Sequence, residues 1–110
     1  VRAADFAQDG PYRVFVWQPN PGKSAAVYAA FTEAAKMHTA MGAKVNIYQE
    51  GVGGSGNLHY VLIFDDWADM AEFGDKVAAS EEFRFLQAAF SDAVTPLGSI
   101  QGEPLYYTRR

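Results

Sequence analysis

Residues Leu58 to Phe64 read LHYVLIF, an uncharged run of aliphatic, aromatic and β-branched side chains without Gly or Pro. It is too short for a helix of ordinary length and is bounded by Asn57 on one side and Asp65-Asp66 on the other. Such a run reads as a strand that is apolar on both faces, and both faces then need a cover. The chain's own helices can supply one cover; the other is expected to come from a second copy.

After the two aspartates, Trp67, Met70, Phe73 and Val77 recur at helical spacing. Asp66 is the expected N-cap, and Asp69 falls where a first-turn carboxylate suits the helix dipole. Gly74 interrupts this helix at a cost of about 1 kcal/mol relative to Ala, which suggests a close packing contact.

Upstream, Gly10-Pro11 marks a turn that closes an irregular lead-in over residues 1–11. Tyr12 to Trp17, YRVFVW, is the first strand, with Tyr12, Val14 and Val16 on one face and Arg13, Phe15 and Trp17 on the other. Pro19-Asn20-Pro21-Gly22 ends it. A long helix then opens at Lys23-Ser24 and runs to Met41, with Gly42 at the C′ position. Its buried stripe is Val27, Phe31, Ala34, His38 and Met41.

Lys44 to Glu50 is the second strand, and Gly51 to Asn57 is a flexible hairpin loop into Leu58–Phe64. Ser80 is expected to cap a third helix whose buried face carries Phe83, Leu86, Phe90, Ala93 and Val94, with Phe85 off the stripe and Pro96 as terminator. Gly98 and Gly102 bracket a loop, and Leu105 to Thr108, LYYT, is the expected last strand. The order β-α-β-β-α(α)-β is the ferredoxin-like split βαβ arrangement, an α+β fold with a four-stranded antiparallel sheet and helices on one face. One such domain accounts for residues 1–110.

Composition narrows the partners. A formal charge of -4, with the last two residues as the one basic pair, argues against nucleic acid. The chain has no cysteine, which excludes disulfides, thiol catalysis and Cys-bound metal. No apolar run approaches the roughly 18–20 residues of a membrane span. The chain opens at Val1 rather than Met, so an upstream segment is expected to have been removed; the compartment stays open between cytoplasm and export. Aromatic residues make up 15% of the chain, enough to fill a core, line a pocket or form an association surface.

The aromatic first strand YRVFVW, the helix ending HTAMGAKVNIYQ and the segment HYVLIFDDWADMAEF together resemble the dimeric α/β-barrel superfamily. That group includes the NIPSNAP, EthD and antibiotic-biosynthesis monooxygenase families. The resemblance spans residues 12–108 and implies a homodimer in which two sheets pack face to face. It implies no single activity, because the group holds cofactor-free oxygenases, isomerases, haem-handling enzymes and members without known activity. Haem-degrading members pair an Asn on the first strand with a Trp and a His near the second helix. Here the first strand has no Asn and no His follows Trp67.

Candidate site residues follow from type and position. His38, within the apolar stripe of the first helix, is either a core-edge histidine hydrogen-bonded to backbone or Tyr, or a general base or anchor in a cavity between helix and sheet. His59 shares a strand face with Val61 and Ile63 and suits a solvent-facing or dimer-rim position better than catalysis. Were both rings to share a pocket with Tyr12, Tyr48 or Tyr60, acid–base chemistry would follow. Trp17, Phe31, Tyr48, Tyr60, Trp67 and Phe90 are the candidate ligand-contacting aromatics, with core or interface packing as the ordinary alternative for both tryptophans.

Other patterns are weaker. Two histidines without a third ligand do not make a metal site. GVGGSG fits GxGxxG but leads into a strand, where the dinucleotide fingerprint needs a helix N-terminus. Asp65, Asp66, Asp69, Glu72 and Asp75 read as a helix start and a solvated face. Three functions stay open: binding of a small aromatic or apolar ligand, cofactor-independent monooxygenase or isomerase chemistry in the same pocket, and a non-catalytic association domain. None calls for a cofactor.

Overall fold

The computed structural model describes residues 10–105. Seven elements follow in order: β1 (Tyr12–Pro19), α1 (Ser24–Ala40), β2 (Lys44–Gln49), β3 (Leu58–Ile63), α2 (Trp67–Ala79), α3 (Glu81–Phe90) and β4 (Val94–Gly102). They form one four-stranded antiparallel sheet in the order β2-β3-β1-β4, with the three helices against one face. This is the α+β ferredoxin-like arrangement that the element order implies.

Register decides which side chains meet the helices. Phe15 pairs with Tyr60, Arg13 with Leu62 and Trp17 with Leu58 across β1 and β3. These residues share the helix-facing side, and Leu58, Tyr60, Leu62 and Phe64 join the core formed with Val27, Phe31 and Ala34 of α1. The opposite face carries Val14 against Val61, Val16 against His59, and Tyr48 of β2 on the far side of His59. Burying the side chains of β3 alone, at about 25 cal/mol per Å² of apolar surface, makes it the energetic centre of the sheet.

Local signals set the ends of the helices. Asp66 Oδ1 accepts the Asp69 N–H at 2.8 Å, and Ser80 Oγ accepts the Phe83 N–H at 3.1 Å, so α2 and α3 are capped as their sequences imply. α1 has no side-chain cap at Lys23 and ends with Gly42 at φ 104°, a left-handed C′ residue. Gly10 precedes β1 where a Cβ would collide with the Phe64 carbonyl oxygen, and Pro11 O accepts the Phe64 N–H at 2.9 Å. The turn at Gly10-Pro11 is therefore a close crossing of two backbones.

The C-terminal third departs from expectation. α3 stops at Phe90, and Val94 to Gly102 is a strand rather than the end of a helix followed by a loop. Pro96 is tolerated because β4 is an edge strand paired, among the described residues, only with β1. A bulge sets Pro96 opposite Trp17 but Gly98 opposite Val16, leaving Leu97 as the extra residue, and Gly98 takes φ 147° beside it. Asn20 fixes where β4 begins: its N–H donates to Ala93 O and its Nδ2 to Asp92 O, while its Oδ1 accepts from Thr95 Oγ1, each at 2.8 Å. Of the expected last strand, Leu105 lies in a bend and 106–108 fall outside the described residues.

Candidate functional site

Helical spacing places His38 on the inner stripe of α1, and the fold turns that stripe across β3. The His38 ring is 5% exposed and its Nδ1 lies 2.6 Å from the Tyr60 hydroxyl. Rings from three elements surround it: Tyr60 of β3 with centroids 5.5 Å apart, Phe73 of α2 at 5.3 Å and Phe83 of α3 at 4.5 Å. Burial in this apolar shell penalises the imidazolium and lowers the His38 pKa from 6.5 to about 4. The same burial raises the Tyr60 phenol above its ordinary range. Both groups are neutral over the ordinary pH range. Either the phenol donates to Nδ1 or Nδ1–H donates to the phenol oxygen.

Beside this pair lies a cavity of about 300 Å³, between the helix-facing side of the sheet and the three helices. Its wall is largely apolar, with Phe31, Phe90 and Trp17 packed edge to face at centroid separations of 5.9 to 6.5 Å. The exposed lining residues Arg13, Gly74, Ala78 and Gln87 mark its opening, between β1 and the two shorter helices. The volume is at the lower end of the usual range for small-molecule sites, roughly 300–1,000 Å³.

The structure gathers five of the eight candidate residues at this cavity: His38, Tyr60, Trp17, Phe31 and Phe90. The other three lie elsewhere. His59 and Tyr48 stand on the opposite face of the sheet, so the two histidines share no pocket. Trp67 is exposed at the start of α2 and donates its Nε1–H to Glu103 Oε2 at 3.1 Å. Gly74 makes no close packing contact; a Cβ there would meet nothing within 4 Å, because the residue sits on the lip of the cavity.

His59 has its own partner. Its Nε2 lies 2.8 Å from Glu50 Oε2, while Glu50 Oε1 accepts the N–H groups of Ser55 at 2.9 Å and Asn57 at 3.3 Å. These hydrogen bonds, the one with His59 foremost, hold the Glu50 carboxyl below its ordinary pKa. Glu50 thus clasps the glycine-rich hairpin, which joins two strands as the sequence indicates. The acidic residues after β3 form a solvated face, where Asp66 and its neighbours raise the Asp69 pKa by repulsion.

Arg13, Phe73, Phe83 and Gln87 line the cavity and were not among the candidate ligand contacts. Alternation already grouped Arg13 with Phe15 and Trp17, and periodicity marked Phe73 and Phe83 as helix-face residues. What the pattern lacks is the gap between them. A gap depends on how far apart the helices sit, which no single segment encodes.

A ferredoxin-like sheet with a helix-roofed aromatic cavity defines a class of small α+β proteins. No protein-family model and no curated protein sequence matches the chain. Solved structures do match. A NIPSNAP domain protein from Burkholderia xenovorans superposes with a TM-score of 0.74 at 11% identity, covering 91% of this chain and 99% of the other. A NIPSNAP family protein of unknown function from Agrobacterium tumefaciens gives 0.74 at 14% identity, covering 89% and 90%. A candidate antibiotic biosynthesis monooxygenase from Deinococcus radiodurans gives 0.69 at 12% identity, covering 91% and 97%. The chain therefore has the fold of the NIPSNAP and antibiotic-biosynthesis monooxygenase group. At such identities the likeness shows a common fold and says nothing of a shared reaction.

Proposed function

We propose that this protein binds a small aromatic or apolar ligand in the cavity between helices and sheet. The observation that carries the reading is the cavity itself, about 300 Å³ walled by aromatic rings and holding a neutral His38–Tyr60 pair. In a purely structural association domain Phe31, Phe90 and Leu62 would fill that space rather than line it. The His38 Nε2 has no hydrogen-bond partner among the described residues, and His38 lines the cavity, so this nitrogen is the group on hand for a ligand's polar atom.

Chemistry in the same pocket, as in a cofactor-independent monooxygenase or isomerase, is the second reading. The unpartnered nitrogen favours it; the low basicity of a ring with a pKa of about 4 makes proton abstraction from a weak acid slow. Anchoring therefore suits His38 better than general-base work.

Self-association completes the proposal. The open sheet face presents Tyr12, Val14 and Val16 half-buried and Ile100 62% exposed, an apolar strip that a second copy would cover. Val61 and Ile63, beside it on the same face, are already buried in the single chain.

Calorimetric titration with 2-naphthalenemethanol tests the ligand reading. Saturable binding that is abolished when Ala34→Phe fills the cavity is the expected result. No heat at millimolar probe, or binding indifferent to that substitution, would overturn it. Sedimentation at micromolar concentration tests association, and a lone protomer would refute it.

A further inference from the structure

The cavity carries a feature that an apolar ligand does not explain. Arg13 lies on the helix-facing side of the sheet, between Leu62 of β3 and Gln101 of β4. The guanidinium carbon stands 4.8 Å from the centroid of the Phe15 ring, and the side chain lines the opening of the cavity. None of the described residues lining that cavity is acidic, and among the described residues Arg13 has neither a carboxylate partner nor a hydrogen bond.

This placement runs against the chain's overall balance. Nine basic residues face thirteen acidic ones, so a cation without an acidic neighbour among the described residues is not a by-product of a basic surface. Strand alternation alone does not demand arginine either, since the helix-facing positions on either side of β3 are otherwise apolar or neutral. The cation–π contact with Phe15 fixes where the guanidinium sits at the opening, and a guanidinium takes a carboxylate with two parallel hydrogen bonds.

We infer that the ligand is an amphiphile with a compact aromatic or aliphatic body and a single carboxylate, the body in the cavity and the carboxylate on Arg13 at its opening. This rests on the ligand-binding reading above and specifies its ligand class. A lone guanidinium, with no second Lys or Arg among the described lining residues, matches a monoanion better than a phosphate dianion. Gln87, on α3, is another exposed lining residue and offers an uncharged amide donor. The floor of the cavity, with His38 and Tyr60 both neutral, would repel no apolar body and attract no second charge.

The test compares 2-naphthoate with 2-naphthalenemethanol, which share a ring system and differ in charge, by calorimetry on the intact chain. Expected is a preference of roughly tenfold or more for the carboxylate, weakened by added salt. Arg13→Gln should erase that preference by weakening the carboxylate far more than the alcohol, and Arg13→Lys should keep part of it. Far-UV circular dichroism and the melting temperature of Arg13→Gln verify that it folds, as expected for an exposed residue without hydrogen bonds among the described residues. Equal affinities, or a preference that survives Arg13→Gln, would overturn the carboxylate inference and leave the cavity reading standing. Failure of both probes to bind would overturn the two together.

Discussion

The Nδ1 of His38 lies 2.6 Å from the hydroxyl of Tyr60, tying the long helix to the central strand of the sheet at the edge of an aromatic cavity. Two buried polar groups satisfy one another there, where each alone would stand unpaired against phenylalanine. Removing one partner therefore costs more than the net strength of one hydrogen bond. Tyr60→Phe is expected to destabilise the fold by about 1–3 kcal/mol, most of it the unmet hydrogen-bonding capacity of His38. Chemical denaturation measures it. A loss below a few tenths of a kcal/mol would mean that the imidazole finds water or another partner.

Burial of the imidazole makes stability depend on pH in a defined direction. In the unfolded chain His38 takes up a proton near pH 6.5, and in the folded chain only near about 4. Between those values the unfolded state binds more protons, so stability falls as the pH drops through that window and is complete above it. By pH 5 the loss attributable to this group is roughly 2 kcal/mol. His38→Asn, which keeps a polar atom near the Nδ1 position, should flatten the dependence between pH 7 and 5. Parallel denaturation profiles for the two proteins would refute the assignment.

The hairpin after β2 gives a prediction on the other face of the sheet. Glu50 holds the N–H groups of Ser55 and Asn57 through one carboxylate oxygen and His59 through the other. Glu50→Ala should speed amide hydrogen exchange at Ser55 and Asn57 at least tenfold while leaving β1 amides protected. Gly54→Ala should act alike, since its new Cβ would stand 2.6 Å from the Glu50 Cβ and displace the clasp. Unchanged exchange in both variants would show that the loop is held by its backbone alone.

How much of this was legible in the sequence differs by element. β3 announced itself because seven residues without a charge, Gly or Pro, six of them apolar or aromatic, leave few alternatives, and α1 because Val27, Phe31, Ala34 and His38 keep helical spacing. Asp66 and Ser80 cap their helices through local hydrogen bonds, which local sequence encodes. β4 did not show itself, because VTPLGSIQG contains a proline and two glycines and lies almost wholly exposed at the sheet edge. Its strand character comes from pairing with β1, a tertiary contact, so the β-prone LYYT that follows drew the assignment instead. At the site, alternation separates His59 from Tyr60, adjacent residues that must face opposite sides. That Tyr60 meets His38 is a matter of how α1 crosses the sheet, and no pattern within either element contains it.

Gly74 offers a test in which stability and access move apart. It interrupts α2 without any packing need, since a Cβ there meets nothing within 4 Å. Gly74→Ala should stabilise the protein by about 0.5–1 kcal/mol through helix propensity. Because the residue lines the opening, Gly74→Phe should hinder entry of 2-naphthalenemethanol and lower its association rate. A stability gain together with unimpaired entry in the Phe variant would place the opening elsewhere.

Phe31 decides whether the cavity is a built space or merely slack packing. It is 3% exposed and makes edge-to-face contacts with Trp17, Tyr60 and Phe90, at centroid distances of 6.0, 5.5 and 5.9 Å. A ring that fixes three others resists collapse of the wall it belongs to. Phe31→Ala should therefore cost about 3–5 kcal/mol, as for a fully packed core phenylalanine, even though empty space lies next to it. Phe31→Leu should cost less than about 1.5 kcal/mol and retain probe binding. If the alanine variant instead lost under about 1 kcal/mol, its neighbours would be relaxing into the existing void. The cavity would then be a loose region of the core, and a ligand site would need another location.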